Sequence, residues 1–162
     1  MKKRVFSLLV ENEAGVLSRV AGLFSRRGYN IDSLTVGVTE NPEYSRMTVA
    51  TSGEDEVLDQ IEKQLLKLVD VKEINILPDG ESVCRELILC RVKAGAGERP
   101  QILAVCEVFR AKVVDVAPDS VMIELTGNQA KLSAFLGLLE GYEITDLART
   151  GLTGLMRGTK LD

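Results

Sequence analysis

Strand-like and helix-like hydrophobic patterns follow one another in the same order twice along this chain, and this order constrains the fold more than any other feature. In the first half, apolar runs and alternating residues predict strands at Val5–Val10, Ile31–Val38, Arg46–Thr51 and Val71–Leu77. Apolar residues spaced three or four positions apart predict helices over 16–27 and 57–68. The order β-α-β-β-α-β is that of a ferredoxin-like unit, in which two helices cover one face of a four-stranded antiparallel sheet.

The second half of the chain repeats this order. Strands are predicted at 83–92, 111–117, 120–126 and 142–148, and helices at 99–110 and 129–139. Because Pro78, Asp79 and Gly80 interrupt the pattern, we expect two domains, 1–78 and 79–162, in an α+β fold of two tandem ferredoxin-like βαββαβ units. The tail RTGLTGLMRGTK, residues 149–160, is rich in glycine, so we expect it to be extended or loop-like.

Histidine is absent from the sequence, and this absence narrows the possible chemistry. Nucleophiles activated by a histidine, metal sites with imidazole ligands and the most common general base are all excluded. Carboxylate or lysine chemistry remains open, including a small hydrolase that acts on a phosphate or acyl phosphate with arginine and asparagine. The sequence therefore favours a binding or regulatory role over catalysis.

Charge and composition argue against nucleic acids and membranes as partners. The chain has 20 Lys and Arg against 24 Asp and Glu, a net charge of −4, so it has no general attraction to phosphates or anionic lipid. No apolar run approaches the ~20 residues that a membrane-spanning helix needs. Cys84, Cys90 and Cys106 lack CxxC spacing and are typical of reduced, buried thiols, so we expect no metal site and a cytoplasmic location.

The segment VENEAGVLSRV, residues 10–20, places a glycine where the first strand gives way to the first helix. A helix N-terminus offers unpaired N–H groups and a partial positive charge, so the amides of Gly15, Val16 and Leu17 could hold a carboxylate. Gly15, without a side chain, would let a ligand approach, and Asn12 would offer a donor and an acceptor beside it. The alternative is purely structural: Asn12 caps the helix, and Gly15, in its first turn, packs against a strand.

Asn30 lies at the other end of the same predicted helix, ~20 Å from Gly15 at 1.5 Å per residue. It therefore cannot readily reach a ligand at Gly15 in the same copy. In a two-fold dimer the second copy could supply it.

Five segments of the sequence resemble one known family. ENEAGVLSRVAGLFSRRGYNIDSLTV, residues 11–36, resembles the start of an ACT domain, and most closely that of the regulatory (small) subunits of acetolactate synthase. The resemblance continues through SRMTVAT (45–51), VLDQIEKQLLKLVDV (57–71), CRELILCRVKA (84–94) and GLTGLMRG (151–158). It covers nearly the whole chain and makes 1–78 the ACT domain.

The resemblance implies a non-catalytic subunit that activates a catalytic (large) subunit and confers feedback inhibition, typically by valine, in branched-chain amino acid biosynthesis. The chain itself would bind no cofactor, since thiamine diphosphate, Mg²⁺ and FAD would belong to the catalytic subunit of this transferase. ACT domains of the family pair side by side as a homodimer with the amino acid at their interface. The implied ligand site comprises Asn12, Gly15, Val16 and Leu17 from one copy, and Asn30 and Ile31 from the other. An ACT-type amino-acid sensor that regulates a different enzyme remains the alternative.

Overall fold

A computed structural model describes residues 1–158 and contains the two predicted βαββαβ units. The first unit comprises β1 (Lys2–Glu11), α1 (Val16–Arg26), β2 (Ile31–Val38), β3 (Tyr44–Gly53), α2 (Asp55–Leu66) and β4 (Val71–Ile76). The second comprises β5 (Ser82–Lys93), α3 (Arg99–Phe109), β6 (Lys112–Ala117), β7 (Ser120–Gly127), α4 (Gln129–Leu138) and β8 (Ile144–Arg149). A short strand, β9 (Thr153–Met156), follows. No helix within residues 1–158 is long and apolar enough to cross a bilayer.

The first sheet has the order β2-β3-β1-β4, with every neighbouring pair antiparallel. β1 is one of the two central strands, paired with β3 and β4, and its alternate residues Phe6, Leu8 and Val10 belong to the core and are at most 1% exposed. The core beneath the helices is completed by Val16, Val20, Leu23, Phe24, Met47, Val49, Leu58, Ile61 and Leu65. This arrangement confirms the predicted fold class for the first unit.

The second sheet has the equivalent order, β6-β7-β5-β8, and β9 also pairs with β5. Its core contains Ile88, Val92, Ile123, Leu132 and Phe135 together with Cys90 and Cys106. Burial raises the pKa of the Cys90 thiol to about 11, so this thiol stays protonated and packs as a small apolar side chain. The expectation of buried, reduced cysteines holds for these two.

The division of the chain differs from the predicted boundary at residue 78. Among the described residues, one unit comprises 1–84 and 151–158, whereas the other comprises 85–150. The predicted second domain, 79–162, is therefore wrong for the tail, because segment 151–158 packs on the first unit. The boundary also lies at residue 84, within β5, and not at residue 78.

The tail crosses the face of the first sheet that the helices leave uncovered. Thr35 of β2 donates its hydroxyl hydrogen to the carbonyl of Leu152 at 3.0 Å. Further along the tail, the main-chain N–H of Arg157 donates to the carbonyl of Glu81, which lies between β4 and β5, at 2.9 Å. Leu152 is only 4% exposed. The expectation of an extended or loop-like tail is confirmed at Thr153–Met156, where the extended chain forms β9 and lies against β3 as well as β5. The last two positions of the predicted tail, 159 and 160, lie outside the described residues.

Helices α1 and α3 end in the same hydrogen-bonded motif with different residues at its left-handed position. After α1, the N–H groups of Gly28 and Tyr29 donate to the carbonyls of Ser25 and Phe24, and Gly28 has φ +68°. This confirms Gly28 as the terminating glycine. After α3, Arg110 adopts φ +57°, and its N–H and that of Ala111 make the equivalent bonds. An arginine there carries backbone strain that glycine avoids.

Exchanging the residues at these two helix ends should change stability in opposite directions. Arg110→Gly should raise the free energy of unfolding by about 1 kcal/mol, because the left-handed conformation costs a non-glycine residue about that much. Gly28→Arg should lower it by a similar amount. Urea denaturation followed by circular dichroism measures both, and equal effects of the same sign would contradict the assignment of strain to Arg110.

Candidate ligand-binding site

Gly15 makes the turn from β1 into α1 in a conformation that only glycine adopts without strain. It is the N-cap residue of α1, with φ +88° and ψ −13°, and so lies outside the first helical turn where the sequence had suggested it. A Cβ built at this position would lie 2.9 Å from Nη1 of Arg19. The backbone conformation therefore favours glycine here independently of any ligand, and a larger residue would also have to displace the end of the Arg19 side chain.

The amino end of α1 presents open hydrogen-bond donors. No side chain among the described residues caps it. The Val16 N–H reaches the carbonyl of Glu13 only at 3.5 Å, and within residues 1–158 the N–H groups of Leu17 and Ser18 have no acceptor. These groups and the partial positive charge of the helix end favour an anion. The predicted donors were the amides of residues 15–17, and Ser18 extends that set.

Arg19 places a fixed positive charge beside this turn. Its Nε and Nη2 donate to the carboxylate of Asp70 at 2.5 Å and 3.2 Å, so the planar guanidinium is held on two bonds. The hydrogen bond from Arg19 holds the pKa of the Asp70 carboxyl below its ordinary value. Nη1, which faces Gly15, is not used in this pair. Arg19 was not among the predicted site residues, although its position four residues after Gly15 puts both on one helix face.

Asn12 binds the β2–β3 hairpin and does not cap α1. Its Nδ2 donates to the carbonyl of Pro42 at 2.9 Å, and its Oδ1 accepts the hydroxyl hydrogen of Ser45 at 3.1 Å. Its main-chain N–H donates to the carbonyl of Glu43 at 2.8 Å. The capping alternative for Asn12 is therefore wrong. Asn12 instead fixes the loop that carries Gly15.

The other predicted residues fall into two places. Val16 and Leu17 adjoin Gly15, but the Val16 side chain is 3% exposed in the core whereas that of Leu17 is 47% exposed. Asn30 and Ile31 lie beyond the far end of α1, a helix of 11 residues or ~16 Å. The structure thus brings Asn12, Gly15 and Leu17 together and leaves Asn30 and Ile31 apart from them.

Asn30 lies at the start of an edge strand. Its Nδ2 donates to a carboxylate oxygen of Asp32 at 2.9 Å, and its carbonyl accepts the hydroxyl hydrogen of Thr51 at 2.5 Å. Ile31 is partly buried against the core of the first unit. Within the described chain β2 pairs with β3 alone, so its other edge is open, and Val36 and Val38 are 48% and 62% exposed.

In the described residues no group of three or more His, Cys, Asp or Glu could hold a metal ion.

Two family models match the chain. The model described as AHAS small subunit-like ACT domain matches residues 6–73, and that described as small subunit of acetolactate synthase matches residues 85–158. The first match includes the turn at Gly15 and the start of β2. The second includes the tail that packs on the first unit.

Curated proteins and a solved structure agree with these matches. The chain is 50% identical over 159 residues to the acetolactate synthase small subunit of Mycobacterium bovis, covering 98% of this chain and 95% of that protein. It is 47% identical over 160 residues to the acetolactate synthase isozyme 3 small subunit of Escherichia coli, covering 98% of both. The crystal structure of the acetolactate synthase small subunit from Thermotoga maritima superposes with a TM-score of 0.89 at 37% identity, covering 99% of this chain and all of that one.

Replacing Gly15 should cost more stability than replacing a glycine that is strained but unobstructed. Gly28→Ala meets only the left-handed strain, because nothing lies within 4 Å of its Cβ position. It should lower the free energy of unfolding by about 1 kcal/mol. Gly15→Ala should lower it further, because Arg19 must also move. When Arg19 is replaced by alanine, Gly15→Ala should lower the free energy of unfolding no more than Gly28→Ala does. If the additional loss persists in this double-mutant cycle, the steric explanation is contradicted.

The Arg19–Asp70 pair should make stability depend on pH in acid. Because the pKa of Asp70 is lowered on folding, the stabilisation is present above the unfolded value of about 4 and is lost as pH falls through the folded value. Asp70→Asn should therefore flatten the decline in stability below about pH 4, and Arg19→Gln should flatten it similarly because it removes the cause. Thermal unfolding across this range tests both variants, and profiles that match the wild type would refute the assignment.

Proposed function

Because this chain belongs to the acetolactate synthase small-subunit family, we propose that it activates a thiamine-diphosphate-dependent catalytic subunit and makes that subunit sensitive to feedback inhibition by valine. The observation that carries the ligand-binding part is the exposed turn at Gly15. It combines open amides of Leu17 and Ser18 with a guanidinium held in place by Asp70.

The chemistry of this turn suits the carboxylate of an amino acid. Backbone N–H groups at a helix N-terminus bind anions, and the absence of a Cβ at Gly15 leaves the backbone accessible. The exposed side chain of Leu17 offers an apolar contact for a branched aliphatic ligand. The Asn12 loop, tied to the β2–β3 hairpin, holds this surface in place.

A second copy would complete the site. Asn30 and Ile31 are separated from Gly15 by the length of α1, so they would reach the ligand only from a partner related by two-fold symmetry. The open edge of β2, with its exposed valines, supports a side-by-side pairing of ACT domains in a homodimer. A ligand bound between two copies would favour one arrangement of the pair, and this preference is what a regulator transmits to its partner.

The catalytic subunit would supply the reaction chemistry. We assign thiamine diphosphate, Mg²⁺ and FAD to that subunit, and to this chain the binding of a branched-chain amino acid. Both subunits would then act together in the cytoplasm, in the biosynthesis of branched-chain amino acids.

Reconstitution with the catalytic subunit from the same source tests the proposal. Acetolactate formation should rise when this chain is added and should then fall on addition of valine. A chain that fails to increase the rate would contradict the proposed activation, and a rate unaffected by valine, leucine or isoleucine would contradict the proposed feedback.

Two isosteric substitutions at Gly15 separate charge from bulk. Gly15→Asn and Gly15→Asp carry similar backbone strain and similar bulk beside Arg19, but only aspartate adds a negative charge, which repels the ligand carboxylate and competes with it for the Arg19 guanidinium. Gly15→Asp should therefore raise the half-inhibitory valine concentration at least ~tenfold above that of Gly15→Asn, with activation retained in both, since one close charge repulsion costs on the order of 1.4 kcal/mol or more. Equal responses to valine would argue against a carboxylate at this turn.

A further inference from the structure

The tail segment Gly151–Met156, which we call the strap, packs closely on the first unit. Gly151 has φ +88°, and a Cβ there would lie 2.8 Å from Cβ of Ser33. At Gly154, a Cβ would lie 2.6 Å from Sγ of Cys84 and 3.0 Å from the carbonyl oxygen of Val83. Two glycines three residues apart thus let the strap lie against β2 at one end and β5 at the other.

Hydrogen bonds attach the strap to the edge strand β2. Thr35 donates its hydroxyl hydrogen to the carbonyl of Leu152 at 3.0 Å, and the Leu152 N–H donates to Oγ of Ser33 at 3.4 Å. Ser33 and Thr35 are register partners of Ala50 and Thr48 on the face away from the helices. Ala50 and Thr48 are at most 1% exposed, so this face is covered at these two positions.

The same strand carries the predicted ligand contacts at its beginning. The register of β2 on β3 shifts between Ile31 and Ser33, a bulge that redirects the side chains next to it. Ladder hydrogen bonds hold only one edge of β2 among residues 1–158, because β3 is its sole neighbour in the sheet. On the near side of the bulge, the hydroxyl of Thr51 holds the carbonyl of Asn30. On its far side, the strap holds Ser33 and Thr35.

We propose that Gly151 and Leu152 are positioning residues for the ligand-binding end of β2. By fixing Ser33 and Thr35, they hold the bulge in the form that presents Asn30 and Ile31 to a ligand bridging two copies. This inference rests on the proposed function and deepens it: the strap takes no part in contacting the ligand, but it determines how well the ligand is bound.

Three variants test this role in the reconstituted complex with its catalytic subunit. Gly151→Ala adds strain and a clash with Ser33, which should lift the strap from β2. Thr35→Val removes the hydroxyl bond to Leu152 without adding bulk. Gly80→Ala is the matched control: its φ of +83° imposes similar strain, but nothing lies within 4 Å of its Cβ position.

Inhibition and activation are measured separately with L-valine as the probe. We expect Gly151→Ala and Thr35→Val to raise the half-inhibitory valine concentration at least ~fivefold, the lower end of typical coupling between sites. The maximal activation at saturating small subunit should stay within about twofold of the wild type, and Gly80→Ala should match the wild type in both measurements. Amide hydrogen exchange of residues 30–35 should accelerate in the two strap variants and remain unchanged in Gly80→Ala.

Each alternative outcome has a distinct meaning. A wild type that does not respond to valine would overturn the proposed feedback function, and the positioning role with it. A responsive wild type with unchanged Gly151→Ala and Thr35→Val would overturn the positioning role alone. Joint loss of activation and inhibition in Thr35→Val, or a shift as large in Gly80→Ala, would likewise overturn it, because either would indicate a general loss of structure. If Gly151→Ala does not fold, Thr35→Val decides the question.

Discussion

Two helices can cover only one face of a four-stranded sheet, and this limit shapes the first unit. Phe6, Leu8 and Val10 face the helices, while the opposite face carries Ser7, Thr48 and Ala50. These side chains are small, so the strap can lie close over β2 and β3. The covering of β2 and β3 on this face therefore involves chain that follows the whole second unit.

The turn at Gly15 has a backbone conformation that favours glycine, and it leaves the N-terminal N–H groups of α1 uncapped. A positive φ favours glycine whether or not a ligand binds, and any larger residue would also displace the guanidinium of Arg19. The same geometry leaves the helix end uncapped, because the side chain of Asn12 is engaged by the hairpin. Stability and the proposed ligand binding thus involve the same residue, and substitutions there must be interpreted against matched variants.

Patterns of hydrophobicity and turn residues predicted the order of the elements, both units and the terminating role of Gly28, because each depends on residues close in sequence. The sequence did not reveal the ion pair between Arg19 and Asp70, which are 51 positions apart. It placed Gly15 inside the helix, because a glycine after Asn12 fits a first turn and an N-cap equally well. It also assigned the tail to the second domain, since the partners of Gly151 and Leu152 lie on β2, more than a hundred residues earlier.

The strap also sets an order of events during synthesis. β1 to β4 leave the ribosome first and can assemble their core with α1 and α2, but the segment that covers the other face emerges only after residues 85–150. Until then, the outer face of the nascent first unit stays open to water and to chaperones. A ribosome that stalls or terminates before Gly151 therefore releases a chain whose two cores can form but whose β2 and β3 lack the contacts that the strap makes with them.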